Sequence, residues 1–231
     1  MFTPIKSYKV YEQVINQIKK MIILGKLKKG DKLPSERELV EQLKVSRTSI
    51  REAFRALEII GLLECRQGEG NFIKENFENT FFEPLSIIFM LQKSNPKDII
   101  EIRRIIEVGA ASLAAQRITE EEVKDLGELI YKIKNSSDED LNVDLDKIFH
   151  YKVAQASKNF ILLNIINSCS SLINTIIKDA RKKILMNEEN KYKLINQHEQ
   201  IYNALKEGNS LKASKLMEEH IDLTNKVMFY N

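Results

Sequence analysis

From Tyr8 to Leu24 the apolar residues Val10, Val14, Ile18, Met21 and Ile22 recur every three or four positions. That is the period of one buried helix face, and Gly25 supplies a stop. After the basic turn Lys28-Lys29-Gly30-Asp31 and an extended Lys32-Leu33-Pro34, the run Ser35-Glu36-Arg37-Glu38 has the form of a capping box, with Ser at the N-cap and Glu three residues later. It predicts a short helix through Leu43. A Lys44-Val45 turn leads to Ser46, a second N-cap, and to a helix whose buried stripe is Ile50, Ala53, Phe54, Leu57 and Ile60 until Gly61 ends it. Two short helices joined by a tight turn form a helix-turn-helix. Leu62-Leu63-Glu64-Cys65 and Asn71-Phe72-Ile73 then flank the turn Arg66-Gln67-Gly68-Glu69-Gly70 as two short strands, the hairpin wing of a winged helix-turn-helix.

Beyond Lys74 the strand signals stop. Helical periods cover about 80–92, 96–116, 119–134, 141–157, 160–186, 189–206 and 210–228. The breaks are local: Asn95-Pro96, Thr119 as an N-cap, Asn135 to Asp138, Lys158-Asn159 and Gly208-Asn209-Ser210. Short connections between helices imply an antiparallel bundle. The expected fold is mostly α: a winged helix-turn-helix in residues 1–75 and an all-helical domain in 76–231, with 76–92 as the connecting segment. There is no internal repeat and no low-complexity tract.

The length, 231 residues, accommodates two modest domains, and a hydrophobic share of 43% supports formed cores. No run of eighteen apolar residues occurs and the first residues lack a signal-peptide core, so a soluble, cytoplasmic protein without a membrane partner is expected. Cys65 and Cys169 are far apart and lack metal-ligand spacing, and both are expected to be buried as small apolar residues. The net charge of +3 is unevenly divided. Residues 1–75 hold 15 Lys and Arg against 10 Asp and Glu, a surplus of five, and the remainder is net negative by two. The basic surplus thus lies where a helix-turn-helix would meet phosphates.

The residues at the start of the second helix of that motif suit base reading. Arg47 or Arg51 can bond guanine O6 and N7, while Ser46, Thr48, Ser49 and the free N–H groups of the first turn suit phosphate. Arg37 could clamp the backbone, and Arg66 and Gln67 beside Gly68 could enter a minor groove. The stretch Leu33 to Leu39, followed by Val45 to Leu57 and Gly61-Leu62-Leu63, closely resembles the DNA-binding domain of GntR-family transcriptional regulators over residues 8–74. The resemblance implies that Arg37, Ser46, Arg47, Thr48, Ser49, Arg51 and Gly68 touch DNA. Glu69 departs from it, because a carboxylate in the wing is unfavourable beside phosphate.

The chain has three histidines, His150, His198 and His220. Asp146 and His150, at i and i+4, project from one helix face. His198 and His220 each lie eleven residues from Asn209. In an antiparallel hairpin folded there, both imidazoles stand about 16 Å from the turn at about 1.5 Å per residue, so they can converge. One Asp and three His form a borderline-ligand set for Zn, Ni, Fe or Mn that leaves two octahedral positions open. This half resembles the FCD effector domain of FadR-like GntR members over about 80–225, through Asp98 to Glu107, Asp146 to His150, Gln197 to Leu205 and Ala213 to His220. The resemblance implies one divalent transition metal, zinc foremost, on Asp146, His150, His198 and His220, the metal-binding subset rather than the fatty-acyl-CoA-binding one. It also implies that Arg103 faces the pocket and pairs with an acidic effector. The alternative for Arg103 is an i,i+4 ion pair with Glu107 on a solvated face.

These readings predict a ligand-responsive regulator that binds a palindromic double-stranded operator as a homodimer, and the family resemblance implies that it is a repressor. A small carboxylate, a hydroxy acid or sugar acid, would act at the metal centre. Two other classes remain: a regulator for which the metal itself is the signal, and a metal-dependent enzyme. Against the enzyme, no nucleophile constellation accompanies the four ligands.

Overall fold

A computed structural model describes residues 9–75, 77, 87–88, 91–92, 95–167 and 188–229. The chain divides into two compact units, Met1–Phe81 and Phe82–Asn231. The expected connecting helix at 80–92, the part of the expected helix 160–186 beyond residue 167, and Cys169 lie largely or wholly outside the described residues.

In the first unit, α1 (Val10–Ile23), α2 (Glu36–Leu43) and α3 (Arg47–Ile59) precede a hairpin of β1 (Leu63–Arg66) and β2 (Gly70–Ile73). The capping box at the start of α2 forms as its sequence requires: Ser35 Oγ accepts from the Glu38 N–H, and Glu38 Oε2 accepts from the Ser35 N–H. Ser46 caps α3 by accepting from the Ser49 N–H at 3.1 Å. Val14, Ile18, Leu33, Leu39, Ile50, Ala53, Phe54, Leu57, Leu63 and Ile73 bury one core, each large side chain contributing about 1.5–3 kcal/mol. Val10, Met21 and Ile60 stay exposed, while their neighbours Tyr11, Ile22 and Leu62 pack against the core, so the buried faces are turned slightly from the expected ones. The strands pair antiparallel with Leu63 opposite Ile73 and Cys65 opposite Asn71. Cys65 is exposed, contrary to expectation: it shares the face of Leu63 but sits nearer the hairpin tip, where no helix covers it. At that tip Gly68 takes a φ of 77° with nothing within 4 Å of a Cβ position, so the turn needs its conformational freedom rather than its small size.

The second unit is helical throughout its described residues. It contains α4 (Pro96–Arg117), α5 (Glu120–Asn135), α6 (Glu139–Ala156), a helical stretch α7 at 160–167, α8 (Glu188–Lys206) and α9 (Ser210–Phe229). Asn95 caps α4 with Pro96 at its first position, and Thr119 opens α5 through a second capping box with Glu122. Helix α4 packs on α6, α8 and α9, and α5 on α6 and α8. Alanines 111, 114, 204 and 213 let these helices approach around Phe149, Leu126, Ile201, Leu205 and Met217. The α8–α9 turn is set by its residues. Gly208, at φ 69°, donates to Leu205 O, and Asn209 N–H donates to Ala204 O, the paired bonds that close a helix on a left-handed residue. The Asn209 side chain then caps α9 by accepting from the Lys212 N–H at 3.0 Å. No helix among the described residues is long and apolar enough to cross a membrane.

Candidate metal centre and nucleic-acid interface

Because Gly208 and Asn209 fold α8 against α9, His198 and His220 meet with ring centroids 4.6 Å apart. Helix α6 brings Asp146 and His150 to the same point. His198 Nε2 stands 3.0 Å from Asp146 Oδ1, His150 Nε2 3.6 Å from Asp146 Oδ2, and the Nε2 atoms of His150 and His220 are 3.1 Å apart. All four residues are buried, and one ligand atom from each lies within 4.8 Å of the others. Phe149 packs against both His150 and His198, closing the cluster from the core side. Burial, and the neighbouring His198 and His150, push the His220 imidazole well below its ordinary pKa against the opposing pull of Asp146, with Arg103 lowering it further. The closely opposed imidazole nitrogens beside one carboxylate are an arrangement that a shared cation can bridge. Ligands about 2.0–2.2 Å from one ion stand roughly 3–4 Å apart, so this group could hold a metal.

Behind the cluster lies a residue for which the sequence reading had no role at the site. Arg103, on α4, forms a short ion pair with Glu107, and Glu107 Oε2 stands 2.5 Å from His150 Nδ1. The pair is not on a solvated face: Glu107 is buried and the Arg103 side chain only 11% exposed. Burial alone would raise the Glu107 carboxyl, but the charges of Arg103 and His150 and their hydrogen bonds lower it to about 2. With the Glu107 carboxylate beside Nδ1, the Nε2 atom of His150 is the one that faces Asp146 and His220. The signal was present in the sequence, since Glu107 is the single carboxylate in the otherwise small and apolar run Ile105–Ala115.

In the first unit, Arg37, Arg47 and Arg51 of the expected DNA-facing residues line one concavity. Ser46 and Ser49 hydroxyls are 2.9 Å apart, Thr48 is exposed, and Arg37 projects from α2 with an exposed i,i+4 contact to Glu41. Arg47 and Arg51 both reach Glu36, whose carboxylate receives their Nε–H groups at 2.9 and 3.1 Å. Partial burial raises the Glu36 carboxyl, yet these two arginines outweigh it and hold it below the ordinary range. Arg37, Arg47, Arg51, Glu36, Glu69 and Gly70 border an open concavity of about 850 Å³ between α2, α3 and the wing. Gln67 and Gly68 are exposed at the wing tip. Arg66 is different: it lies over the Phe72 ring at 4.4 Å and pairs with Glu64 and, at 3.7 Å, with Glu75. It therefore anchors to its own hairpin.

Both units match known protein families. Residues 10–73 match the family described as bacterial regulatory proteins, gntR family, and residues 98–223 match the FCD domain. The HTH-type transcriptional regulator LutR of Bacillus subtilis is 37% identical over 87% of this chain and 93% of its own. A protein of Escherichia coli, provisionally named as the regulatory protein of the L-lactate dehydrogenase operon, is 30% identical over 94% of this chain and 85% of its own. Among solved structures, Streptococcus agalactiae GntR superposes with a TM-score of 0.69 at 28% identity, covering 94% of this chain and 99% of that one.

Proposed function

The chain belongs to the GntR family of bacterial regulatory proteins, with an FCD domain behind its DNA-binding domain, and from that premise we propose a repressor whose hold on a palindromic operator is set by a small hydroxy-monocarboxylate. It is a transcriptional regulator and not an enzyme. The observation that carries the reading is the buried group of Asp146, His150, His198 and His220 with Arg103 and Glu107 beside it.

A divalent ion held there, zinc foremost and nickel, iron or manganese as alternatives, would supply Lewis acidity and open positions for a carboxylate and a neighbouring hydroxyl. The residues around it decide the charge that the effector must bring. Asp146 and Glu107 are two buried anions, and Arg103 is one cation. With a divalent ion, Asp146, Glu107 and Arg103 leave the centre with about one net positive charge. Burying an unbalanced charge is expensive, so one carboxylate completes the site and a second is left unpaired. Lactate, named in the operon of the Escherichia coli relative, has this chemistry. Arg103 reaches the effector only by sharing its guanidinium with Glu107, and that partnership restricts the geometry the ligand can take. In the first unit, Arg47 and Arg51 supply base readout, while Arg37, Ser46, Thr48, Ser49 and the wing residues Gln67 and Gly68 meet the backbone and minor groove. Arg66 supports the wing from its base. One recognition helix reads a short half-site, so a homodimer on two-fold symmetric DNA is part of the proposal.

Calorimetry on zinc-loaded protein tests the effector reading. Small 2-hydroxy-monocarboxylates are expected to bind more tightly than the matching alcohols, amines or dicarboxylates, and Arg103→Ala to weaken them while retaining the metal. A preference for neutral or cationic compounds, or full affinity in Arg103→Ala, overturns it. Operator binding that responds to zinc without any organic acid makes the metal itself the signal.

A further inference from the structure

Glu36 lies outside every role assigned so far, yet it holds both arginines assigned to base reading. It occupies the first position of α2, directly after the Ser35 cap, where the helix dipole favours a carboxylate. Arg47 and Arg51 stand one turn apart on α3, so their side chains rise from the same face. Each Glu36 oxygen takes one of them: Oε2 receives Arg47 Nε–H at 2.9 Å and Oε1 receives Arg51 Nε–H at 3.1 Å. The Glu36 side chain is 23% exposed, against 69% and 59% for the two arginines. The carboxylate is thus set into the surface and the guanidinium groups project beyond it.

We propose that Glu36 is a specificity-setting positioning residue, a carboxylate strut that orients Arg47 and Arg51 for base edges and denies them to phosphate. With Nε–H committed to Glu36, each guanidinium has its two terminal nitrogens left for guanine O6 and N7, the bidentate pairing that discriminates bases. An unrestrained arginine can reach many phosphates and loses more side-chain freedom when it settles on one base. The same carboxylate neutralises one of the two charges and repels the backbone, which lowers sequence-independent attraction. Glu36 therefore weakens binding to arbitrary DNA and strengthens the difference between right and wrong sequences. The inference rests on the proposed reading that Arg47 and Arg51 contact bases.

The test uses the full-length protein, a duplex recovered by the wild type from a randomised pool, and a scrambled duplex of the same length and composition. In Glu36→Gln, affinity for the scrambled duplex should rise a few-fold, with the salt dependence steeper by about one released counterion. Affinity for the selected duplex should fall, and discrimination should drop by about tenfold or more. Unchanged discrimination, or equal weakening on both duplexes, overturns the proposal and leaves Glu36 a merely structural ion pair. Arg47→Ala and Arg51→Ala separate the two layers. If they retain full discrimination, the base-reading assignment fails and takes the strut with it; if they lose discrimination and Glu36→Gln keeps it, the strut alone fails. Glu36→Ala, which cannot accept either arginine, should reproduce the loss of discrimination, and a wild-type ratio in that variant also overturns the proposal.

Discussion

The two sites hold carboxylates against cations in opposite surroundings. In the first unit, Glu36, Arg47 and Arg51 meet at a partly exposed surface, where water screens the pairing and each contact is worth little to stability. In the helical unit, Arg103, Glu107, His150, Asp146, His198 and His220 form a chain of contacts with almost no access to water. Removing one member there leaves an uncompensated buried group at a cost of several kcal/mol. The difference tells which interactions can be exchanged. The exposed arginines can trade part of their carboxylate for a base or a phosphate at small cost. The buried cluster accepts a ligand only if that ligand balances its charge and occupies its donors.

The largest effect should come from breaking the buried side. His198→Ala removes a donor that lies 3.0 Å from Asp146 and against both other imidazoles. Zinc affinity, measured by competition with a chelator, should fall by more than the roughly 10–100-fold typical of losing an outer-shell partner. Uptake at wild-type affinity would remove the metal centre from the account. Glu107→Gln sharpens the comparison by keeping shape and deleting one buried charge. It should weaken metal affinity by about 10–100-fold while all four ligand side chains remain. The band positions of a cobalt-substituted sample should also shift, because His150 loses the buried charge beside its Nδ1. An unaltered spectrum would mean that Glu107 serves only Arg103. The smallest effect is expected on the exposed side, where Ser35→Ala removes one half of the α2 capping box. It should cost about 1 kcal/mol of local stability, read as faster hydrogen exchange in α2 amides, with zinc affinity unchanged.

Much of this was legible in the chain itself because the signals are local. Ser35 and Glu38, Ser46 and Ser49, and Thr119 and Glu122 satisfy helix N–H groups within four residues, so composition alone places the starts of α2, α3 and α5. The equal spacing of His198 and His220 about Asn209 is likewise a property of sequence, given that Gly208 and Asn209 make a tight antiparallel turn. Burial at the edges of the apolar faces was not legible. Val10, Met21, Ile60 and Cys65 follow the apolar pattern or its parity yet stay exposed while Tyr11, Ile22 and Leu62 pack, since periodicity gives the approximate face of an element but not which of its edges the partner covers.

The sequence by itself determined the two kinds of unit, the caps, the arginine-bearing start of α3 and the identity of the three histidines that meet around Asp146. Only the tertiary structure decided how their neighbours act. Glu107 joins Arg103 to His150 across forty-three positions of chain, and Glu36 reaches Arg47 and Arg51 eleven and fifteen residues away. The Arg103–Glu107 spacing suited a solvated i,i+4 pair equally well until the packing of α4 on α6 and α9 put it inside. Helical period and capping depend on residues within a turn of one another. The partner of a buried charge depends on which helices pack together, and no local pattern carries that choice.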